Sequence, residues 1–205
     1  MRPDTTIYVV DDDEAVRDSL QIMLEAHGFG VKSFSSGENF LAALAPDMDG
    51  CVLLDVNMPG LNGFDVQQRL AGSGLPVIVV TGHGDVPSAV KAMKAGAVDF
   101  VEKPFADAVI LDAINRALTQ RDATKRAQLV AAEIRARLDR LTPREREVFE
   151  QLVLGQPNKI IAHLLTISPR TVEIHRSRVM EKMQARHLSE LVRLALAVGI
   201  KDNVE

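Results

Sequence analysis

The sequence predicts two domains of different fold class, an α/β domain over residues 1–119 and an all-α domain over residues 139–205, joined by a helical linker at 120–138. Short apolar runs alternate with amphipathic helical patterns in the first domain, whereas only helical patterns follow it. Residues 1–119 carry 8 Lys and Arg against 17 Asp and Glu, a net charge of −9, and residues 120–205 carry 16 against 11, a net of +5. A basic second domain is typical of a protein that binds a polyanion.

Five short runs in the first domain are predicted to be strands: Ile7–Val10, Gly30–Phe34, Val52–Leu54, Val77–Val80 and Val98–Val101. Helical patterns that close at Gly or Pro lie between them, and the first places Val16, Leu20 and Leu24 on one face and ends at Gly28. Nearly continuous apolar strands that alternate with helices are typical of a parallel sheet covered on both faces. We therefore expect a doubly wound, five-stranded parallel sheet with five helices. The fifth helix continues into the linker through Leu111–Arg140, which contains no Pro or Gly.

The second domain shows four helical patterns and no strand. Its first helix begins with a capping box, in which Thr142 is the N-cap, Pro143 takes the first helical position and Glu145 closes the box. A short helix, a tight turn and a longer helix capped by Ser168 follow, and this layout is typical of a helix-turn-helix. The residues expected on its inward apolar faces are Ile160, Ile161, Leu164, Leu165, Ile167, Val172, Ile174 and Val179.

Composition limits the class of protein. The 205 residues are 46% hydrophobic and 25% charged, as in a soluble globular protein, and no apolar run reaches the roughly 20 residues that cross a bilayer. Acidic residues interrupt the N-terminus before a signal-peptide core could form, so we expect a cytoplasmic protein without a membrane partner. Cys51 is the only cysteine, which excludes an internal disulfide and a cysteine-rich zinc site.

Polar residues follow four of the predicted strands: Asp11 and Asp12 the first, Asp55 the third, Thr81 the fourth and Lys103 the fifth. The carboxyl ends of parallel strands share one edge, where ligands bind. Clustered carboxylates repel one another, and Mg²⁺, which prefers oxygen ligands, relieves that repulsion. Asp55 is then a candidate nucleophile for a phosphoryl group whose oxygens Lys103 and Thr81 could bind. A run such as "DDDE" is by itself more often a solvated turn. The inference of a phosphoryl site therefore depends on the acids, the threonine and the lysine falling together at the strand ends.

The stretches "VVDDD", "LLDVNMPGLNGFD", "VIVVTGHGD" and "AMKAGAVDFVEKPF" resemble the receiver domain of bacterial two-component response regulators over all of residues 1–119. The resemblance implies a flavodoxin-like receiver with Asp55 as phosphoacceptor. The Mg²⁺ ligands that it implies are Asp11, Asp12, Asp55 and the backbone carbonyl of Asn57. The residues that it implies for sensing the phosphate are Thr81, Lys103 and Phe100. It also implies a cis peptide bond between Lys103 and Pro104 and a helix-capping role for Asp13.

The resemblance also implies control by phosphotransfer from a sensor histidine kinase. A phosphoryl group adds roughly −1.5 to −2 charges, and the resemblance implies that Thr81 moves toward it while Phe100 fills the vacated space. The face that would change includes Val90 and Met93, and we expect a homodimer to form through it on phosphorylation. His83 is interpreted as a loop residue without a catalytic role.

The string "LTPREREVFEQLVLGQPNKIIAHLLTISPRTVEIHRSRVMEKM" resembles the four-helix DNA-binding domain of the LuxR/NarL class, and both domains look closest to the FixJ subgroup. The resemblance implies that the third helix, near 169–183, enters the major groove of a promoter, expected to be an inverted repeat. The predicted phosphate contacts are Lys159, Arg170 and Lys182, and the other predicted DNA contacts are Thr171, Glu173, Arg176 and Ser177. The residues predicted to pair two copies through the last helix are Leu191, Val192 and Ala195.

Three functions are compatible with parts of this pattern. The first is a transcriptional regulator, not an enzyme, whose partners are a sensor histidine kinase, double-stranded DNA and a second copy, with RNA polymerase as a further candidate. The second is an aspartate-nucleophile phosphohydrolase of the haloacid-dehalogenase kind, but such enzymes carry an acid where this chain has Asn57. The third is a small-molecule-sensing regulator of the LuxR type, but the chain has no Trp and one Tyr to line a ligand pocket. The first hypothesis accounts for both domains.

Overall fold

A computed structural model describes residues 5–82 and 84–200, and these residues form five strands and nine helices. The strands are β1 Thr6–Val10, β2 Gly30–Phe34, β3 Gly50–Leu54, β4 Val77–Thr81 and β5 Asp99–Glu102. The helices are α1 Glu14–Ala26, α2 Gly37–Ala42, α3 Gly63–Arg69, α4 Val86–Lys94, α5 Asp107–Leu138, α6 Pro143–Val153, α7 Asn158–Leu164, α8 Pro169–Met183 and α9 Leu188–Ala197. The predicted α/β domain followed by an all-α domain is confirmed.

The five strands form one parallel sheet in the order β2-β1-β3-β4-β5. The order reverses between β1 and β3, and open α/β sheets bind their ligands at the carboxyl ends of the strands beside such a switch point. The β3 strand begins two residues before the predicted run, at Gly50, which has φ +136°. A Cβ on Gly50 would lie 1.7 Å from the carbonyl oxygen of Thr6 on β1, so only glycine allows the two strands to pair there.

Alternation along each strand divides the sheet between two apolar layers. Ile7 and Val9 of β1 pack in one layer with Ile114 of α5, whereas Tyr8 and Val10 pack in the other with α2 and α3. Both faces of the central strands are therefore dry, which is why β1, β3 and β4 read as continuous apolar runs. The only cysteine, Cys51, is buried in the first layer, and burial raises the pKa of its thiol to about 12.

The chain divides into two compact units, Met1–Lys125 and Arg126–Glu205, and α5 contributes to both. Its first turns bury Ile114 and Leu118 in the first unit, and its last turns bury Ile134 and Leu138 in the core of the second. The last turns of the predicted linker thus belong to the packed second unit. Within the described residues, no helix combines the length and the apolar content that a membrane span requires.

The second unit packs α6, α7, α8 and α9 around one apolar core. Its capping box is present as predicted, since the Thr142 hydroxyl accepts from the Glu145 amide at 3.3 Å and the Glu145 carboxylate accepts from the Thr142 amide at 2.8 Å. One part of the predicted core is wrong. Ile160, Leu164 and Ile174 are 44%, 55% and 49% exposed, because each lies on the side of its helix that turns away from the core.

Candidate functional site

The acidic site lies at the carboxyl edge of the sheet, where backbone pairing continues past the strands. The amide of Asp55 donates to the carbonyl of Val10 at 2.9 Å, and the amide of Lys103 donates to the carbonyl of Thr81 at 2.8 Å. These bonds hold the first residue after β3 beside the end of β1, and the first residue after β5 beside the end of β4. The placement expected from a parallel sheet therefore brings the predicted acids and the predicted lysine to one edge.

The ammonium of Lys103 bridges two buried carboxylates. Its Nζ lies 2.5 Å from Asp11 Oδ2 and 3.1 Å from Asp55 Oδ2, and the two acids are 2% and 6% exposed. Burial raises the pKa of the Asp11 carboxyl, although the hydrogen bond and charge of Lys103 oppose the change. Burial alone would lower the pKa of Lys103, but Asp11 and then Asp55 outweigh it and the net direction is upward. The peptide bond between Lys103 and Pro104 is cis, as the resemblance implied.

The donor set of this site fits a hard divalent cation. Asp11, Asp12 and Asp55 each offer a carboxylate oxygen, and these atoms lie within 4.8 Å of one another. Asp12 is exposed, so water can reach one side of the cluster and complete the coordination that Mg²⁺ prefers. Asn57 lies at the same place, since its amide donates to Asp55 Oδ1 at 3.3 Å. A cation bound here would also neutralise charge on an incoming phosphoryl group.

Asn57, Thr81 and Phe100 connect the acids to the interior of the sheet. The Asn57 side-chain amide donates to the Thr81 hydroxyl at 3.4 Å, and Thr81 is buried at the end of β4. Phe100 is half-buried and packs against the apolar layer that contains Tyr8 and Val10. His83 lies outside the described residues.

Two residues support this site that the sequence did not single out. Arg17 on α1 donates through Nη1 to the carbonyls of Asp11 at 2.8 Å and Asp12 at 2.9 Å, so it fixes the loop that carries the acid pair. Gly63 begins α3, where a Cβ would lie 2.1 Å from the carbonyl oxygen of Asp55. Both residues are visible in the sequence, Arg17 one turn into the helix after "DDD" and Gly63 in "LNG". Their roles depend on how closely two elements approach each other, which the sequence does not give.

Replacing Lys103 tests the electrostatics of the cluster. We expect Lys103→Met to lower the free energy of unfolding of the metal-free protein by about 1–3 kcal/mol, because Asp11 and Asp55 would stay buried without their ammonium partner. Mg²⁺ should recover most of this loss by supplying positive charge to the folded state. Urea unfolding with and without Mg²⁺ measures both effects.

The matched control is Lys94→Met, at an exposed lysine on α4, which should change the free energy of unfolding by less than about 0.5 kcal/mol. A loss for Lys103→Met that is equal with and without Mg²⁺ would contradict the electrostatic account.

In the second unit, the predicted DNA contacts divide into residues that are exposed and residues that already bind other residues of the same unit. Those exposed on α7 and α8 are Lys159, Arg170, Glu173 and Ser177. Thr171 is half-buried and its hydroxyl lies 2.7 Å from that of the N-cap Ser168. Arg176 is half-buried on the inner side of α8 and donates to Asn158 on α7 at 3.3 Å. The structure therefore gives Arg176 a role in joining the two helices, and Arg178, which was not among the predicted contacts, is exposed.

Lys182 is engaged within the domain. Its ammonium donates to Glu145 Oε2 at 2.6 Å and to the carbonyl of Arg140 at 3.1 Å, and Glu145 is 2% exposed. Burial opposes ionisation of Glu145, but the bonds from Lys182 and Thr142 outweigh it and lower the pKa of this carboxyl to about 2. Lys182 thus ties α8 to the start of α6, a role within the domain that differs from the predicted phosphate contact.

The predicted pairing residues of α9 need a correction. Leu191 and Ala195 are fully buried in the core of the second unit, and Val192 is half-buried. A side chain that already packs inside its own domain cannot also form an interface between copies. Leu191 and Ala195 are therefore core residues, because α9 presents this side to α6.

The fold and the two sites define a class of protein. The family model of the response regulator receiver domain matches residues 7–115, and the model of bacterial regulatory proteins of the luxR family matches residues 139–195. The chain belongs to the two-component response regulators in which a receiver domain is joined to a LuxR-type DNA-binding domain. It is thus a transcriptional regulator.

Comparison with individual relatives identifies the subgroup of response regulators to which the chain belongs. The transcriptional regulatory protein FixJ of Bradyrhizobium diazoefficiens is 50% identical, over 95% of this chain and 96% of its own, and FixJ of Rhizobium meliloti is 52% identical, over 96% and 97%. Among solved structures, the response regulator StyR has a TM-score of 0.79 at 38% identity, over 94% of this chain and 98% of its own. Full-length FixJ from B. japonicum has a TM-score of 0.58 at 50% identity, over 96% and 98%. The predicted FixJ subgroup is confirmed, and the phosphohydrolase alternative has no support among these proteins.

Proposed function

We propose that this regulator accepts a phosphoryl group on Asp55 from a sensor histidine kinase and thereby controls the binding of its helix-turn-helix domain to promoter DNA. The observation that carries the proposal is the buried Asp55 carboxylate at the switch point of the sheet, within hydrogen-bond reach of the Lys103 ammonium and beside Asp11 and Asp12. Such an arrangement is suited to a group that gains charge when modified and needs a nearby cation to hold it. We propose a regulatory protein rather than an enzyme.

The proposed transfer is a substitution at phosphorus. A carboxylate oxygen of Asp55 forms the new bond to phosphorus. The bond that breaks joins phosphorus to the histidine nitrogen of the kinase, or to the acetyl oxygen when acetyl phosphate is the donor, and the donor leaves with the bonding electrons. Lys103 is already oriented toward Asp55 and can pair with a phosphoryl oxygen, while the Thr81 hydroxyl can bind another. Asp11, Asp12, Asp55 and the carbonyl of Asn57 would hold Mg²⁺, which supplies charge neutralisation when bound.

A dimer of phosphorylated receivers is proposed through α4. Val86, Val90 and Met93 are 75%, 47% and 49% exposed at helical spacing, whereas Ala92 faces the core, so α4 presents an apolar stripe. We expect the phosphorylated protein to sediment as a dimer and Val90→Asp to stay monomeric while still accepting the phosphoryl group. The control is Ile22→Asp, at a residue on α1 that is 71% exposed, and it should dimerise like wild type. A monomeric phosphorylated wild type would exclude this interface.

The DNA-binding unit supplies positive charge for the phosphate backbone and a helix for the major groove. Lys159, Arg170 and Arg178 are exposed on α7 and α8 and are the proposed phosphate contacts. Relatives of this chain are named transcriptional regulatory proteins, which supports a promoter as the target and the cytoplasm as the compartment. An inverted repeat would suit a protein that binds as a dimer, and RNA polymerase is a further proposed partner.

The test of the proposed function uses the full chain, Mg²⁺ and acetyl phosphate. Duplexes are selected from a randomised pool by the treated protein, and affinity for a selected duplex is measured by mobility shift with and without acetyl phosphate. Treatment is expected to add one phosphoryl group and to raise the affinity at least about tenfold, equivalent to about 1.4 kcal/mol. Failure to enrich any duplex, or equal affinity before and after modification, would overturn the proposal.

Arg170 should contribute affinity without sequence preference. We expect Arg170→Ala to weaken binding to every duplex by a similar factor and to lower the slope of log affinity against log salt by about 1, because one phosphate contact is lost. Titrations at several salt concentrations measure this slope. Arg193→Ala, which removes the same charge from the exposed side of α9, should leave the slope unchanged. Equal effects of the two substitutions would show that only net charge matters.

A further inference from the structure

One side chain on the exposed face of α8 is chemically unlike its neighbours. Ile174 is 49% exposed, and it does not belong to the apolar core of the second unit. A single exposed isoleucine is common on protein surfaces, so exposure alone decides nothing. What distinguishes Ile174 is its position on the helix that this regulator is proposed to place in the major groove.

The register of α8 places Ile174 opposite the core. Val172, Val179 and Met183 are fully buried and define the inward side. At about 100° per residue, Ile174 lies roughly 200° around the helix from Val172 and therefore at the centre of the outward side. The residues exposed around it are Arg170, Glu173, Ser177, Arg178 and Glu181.

The flanking charges show how this face would meet a duplex. Arg170 and Arg178 lie four residues before and four residues after Ile174, so an arginine stands one turn away on each side of it. Guanidinium groups that bind the phosphates on either side would hold the middle of the helix against the base edges. Ile174 would then be the side chain aimed most directly into the groove.

Isoleucine has no hydrogen-bond donor or acceptor in its side chain, so it cannot bind a phosphate or read the polar pattern of a base. The apolar group that base edges present in the major groove is the C5 methyl of thymine. We infer that Ile174 is a specificity-determining residue that packs against a thymine methyl group in each half-site. This inference rests on the proposed DNA-binding function and adds to it the base that the centre of α8 selects.

The experiment removes the methyl group from the DNA and the side chain from the protein in turn. Full-length protein, treated with Mg²⁺ and acetyl phosphate, selects duplexes from a randomised pool, and each thymine of one selected duplex is then replaced singly by deoxyuridine. We expect one replacement per half-site to weaken wild-type binding about three- to fivefold, the effect of exposing one methyl group. In Ile174→Ala the thymine and uracil duplexes should bind equally, and Ile174→Val should keep part of the preference.

The matched control is Ile160→Ala, since Ile160 is similarly exposed at 44% but lies on α7, and it should keep the wild-type preference. The inference is overturned if wild type distinguishes thymine from uracil at no position, or if Ile174→Ala keeps the full preference. A wild type that enriches no duplex would remove the proposed function and this inference together. If wild type enriches duplexes but Ile174→Ala keeps the full preference for thymine, only the inference about Ile174 is overturned.

Discussion

Asp55→Asn is expected to accept no phosphoryl group from acetyl phosphate under conditions in which wild type is modified. The amide is nearly the same size as the carboxylate but is neutral and a poor nucleophile, so the chemistry is lost while the packing is kept. Lys103 would retain its bond to Asp11, which protects the fold from a buried unpaired ammonium. Intact-mass measurement with Mg²⁺ present detects the modification directly.

Two further substitutions make this result specific. Asp47→Asn removes an exposed acid and should be modified like wild type. Asp12→Asn leaves the acceptor in place but takes one proposed ligand from the cluster, so modification should be slower and should need more Mg²⁺. If Asp55→Asn were modified to the wild-type extent, Asp55 would not be the acceptor.

Glu145→Gln is expected to lower the free energy of unfolding of the DNA-binding unit by about 2–4 kcal/mol. Glu145 is buried and accepts from the Lys182 ammonium at 2.6 Å and the Thr142 amide at 2.8 Å, so the substitution breaks an ion pair and weakens the cap of α6. Loss of helical signal on heating measures the change. The double variant Glu145→Gln with Lys182→Met should recover part of the loss, because it removes the ammonium that was left without its partner.

The control for this pair lies two residues further along α6. Glu147 pairs with Arg144 at 2.5 Å, but the two side chains are 45% and 40% exposed, so Glu147→Gln should change the free energy of unfolding by less than about 1 kcal/mol. Equal losses for Glu145→Gln and Glu147→Gln would show that burial gives the first pair no special importance.

The lowered pKa of Glu145 predicts how the stability of the second unit changes in acid. The folded state lowers the pKa of Glu145 from its ordinary 4.5 to about 2, so the unfolded state binds the proton more readily. The stability that Glu145 contributes is therefore present above about pH 4.5 and is lost as the pH falls from there toward 2. Glu145→Gln should remove this part of the pH dependence, and an acid titration of helical signal that is as steep in the variant as in wild type would contradict it.

The acidic site was largely predictable because it depends on topology alone. A parallel sheet brings every carboxyl end to one edge, so Asp11, Asp55 and Lys103 could be placed together before any side chain was positioned. The supporting contacts of Arg17 and Gly63 were not predictable, since each depends on how closely one helix approaches one loop. No local sequence pattern encodes the distance from the Arg17 guanidinium to the Asp11 carbonyl or the close approach of Gly63 to the Asp55 carbonyl.

By itself the sequence determined the class of each domain, the strand ends that carry the acids and the helix caps, because periodicity and capping are local properties. Only the tertiary structure decided how each short helix is rotated about its axis. Apolar residues occur on more than one side of α8 and α9. Packing of these helices against α6 buries Val172, Leu191 and Ala195, whereas Ile174 stays exposed to solvent. The physical reason is that a core closes over one side of a helix, and which side closes depends on the neighbour that covers it.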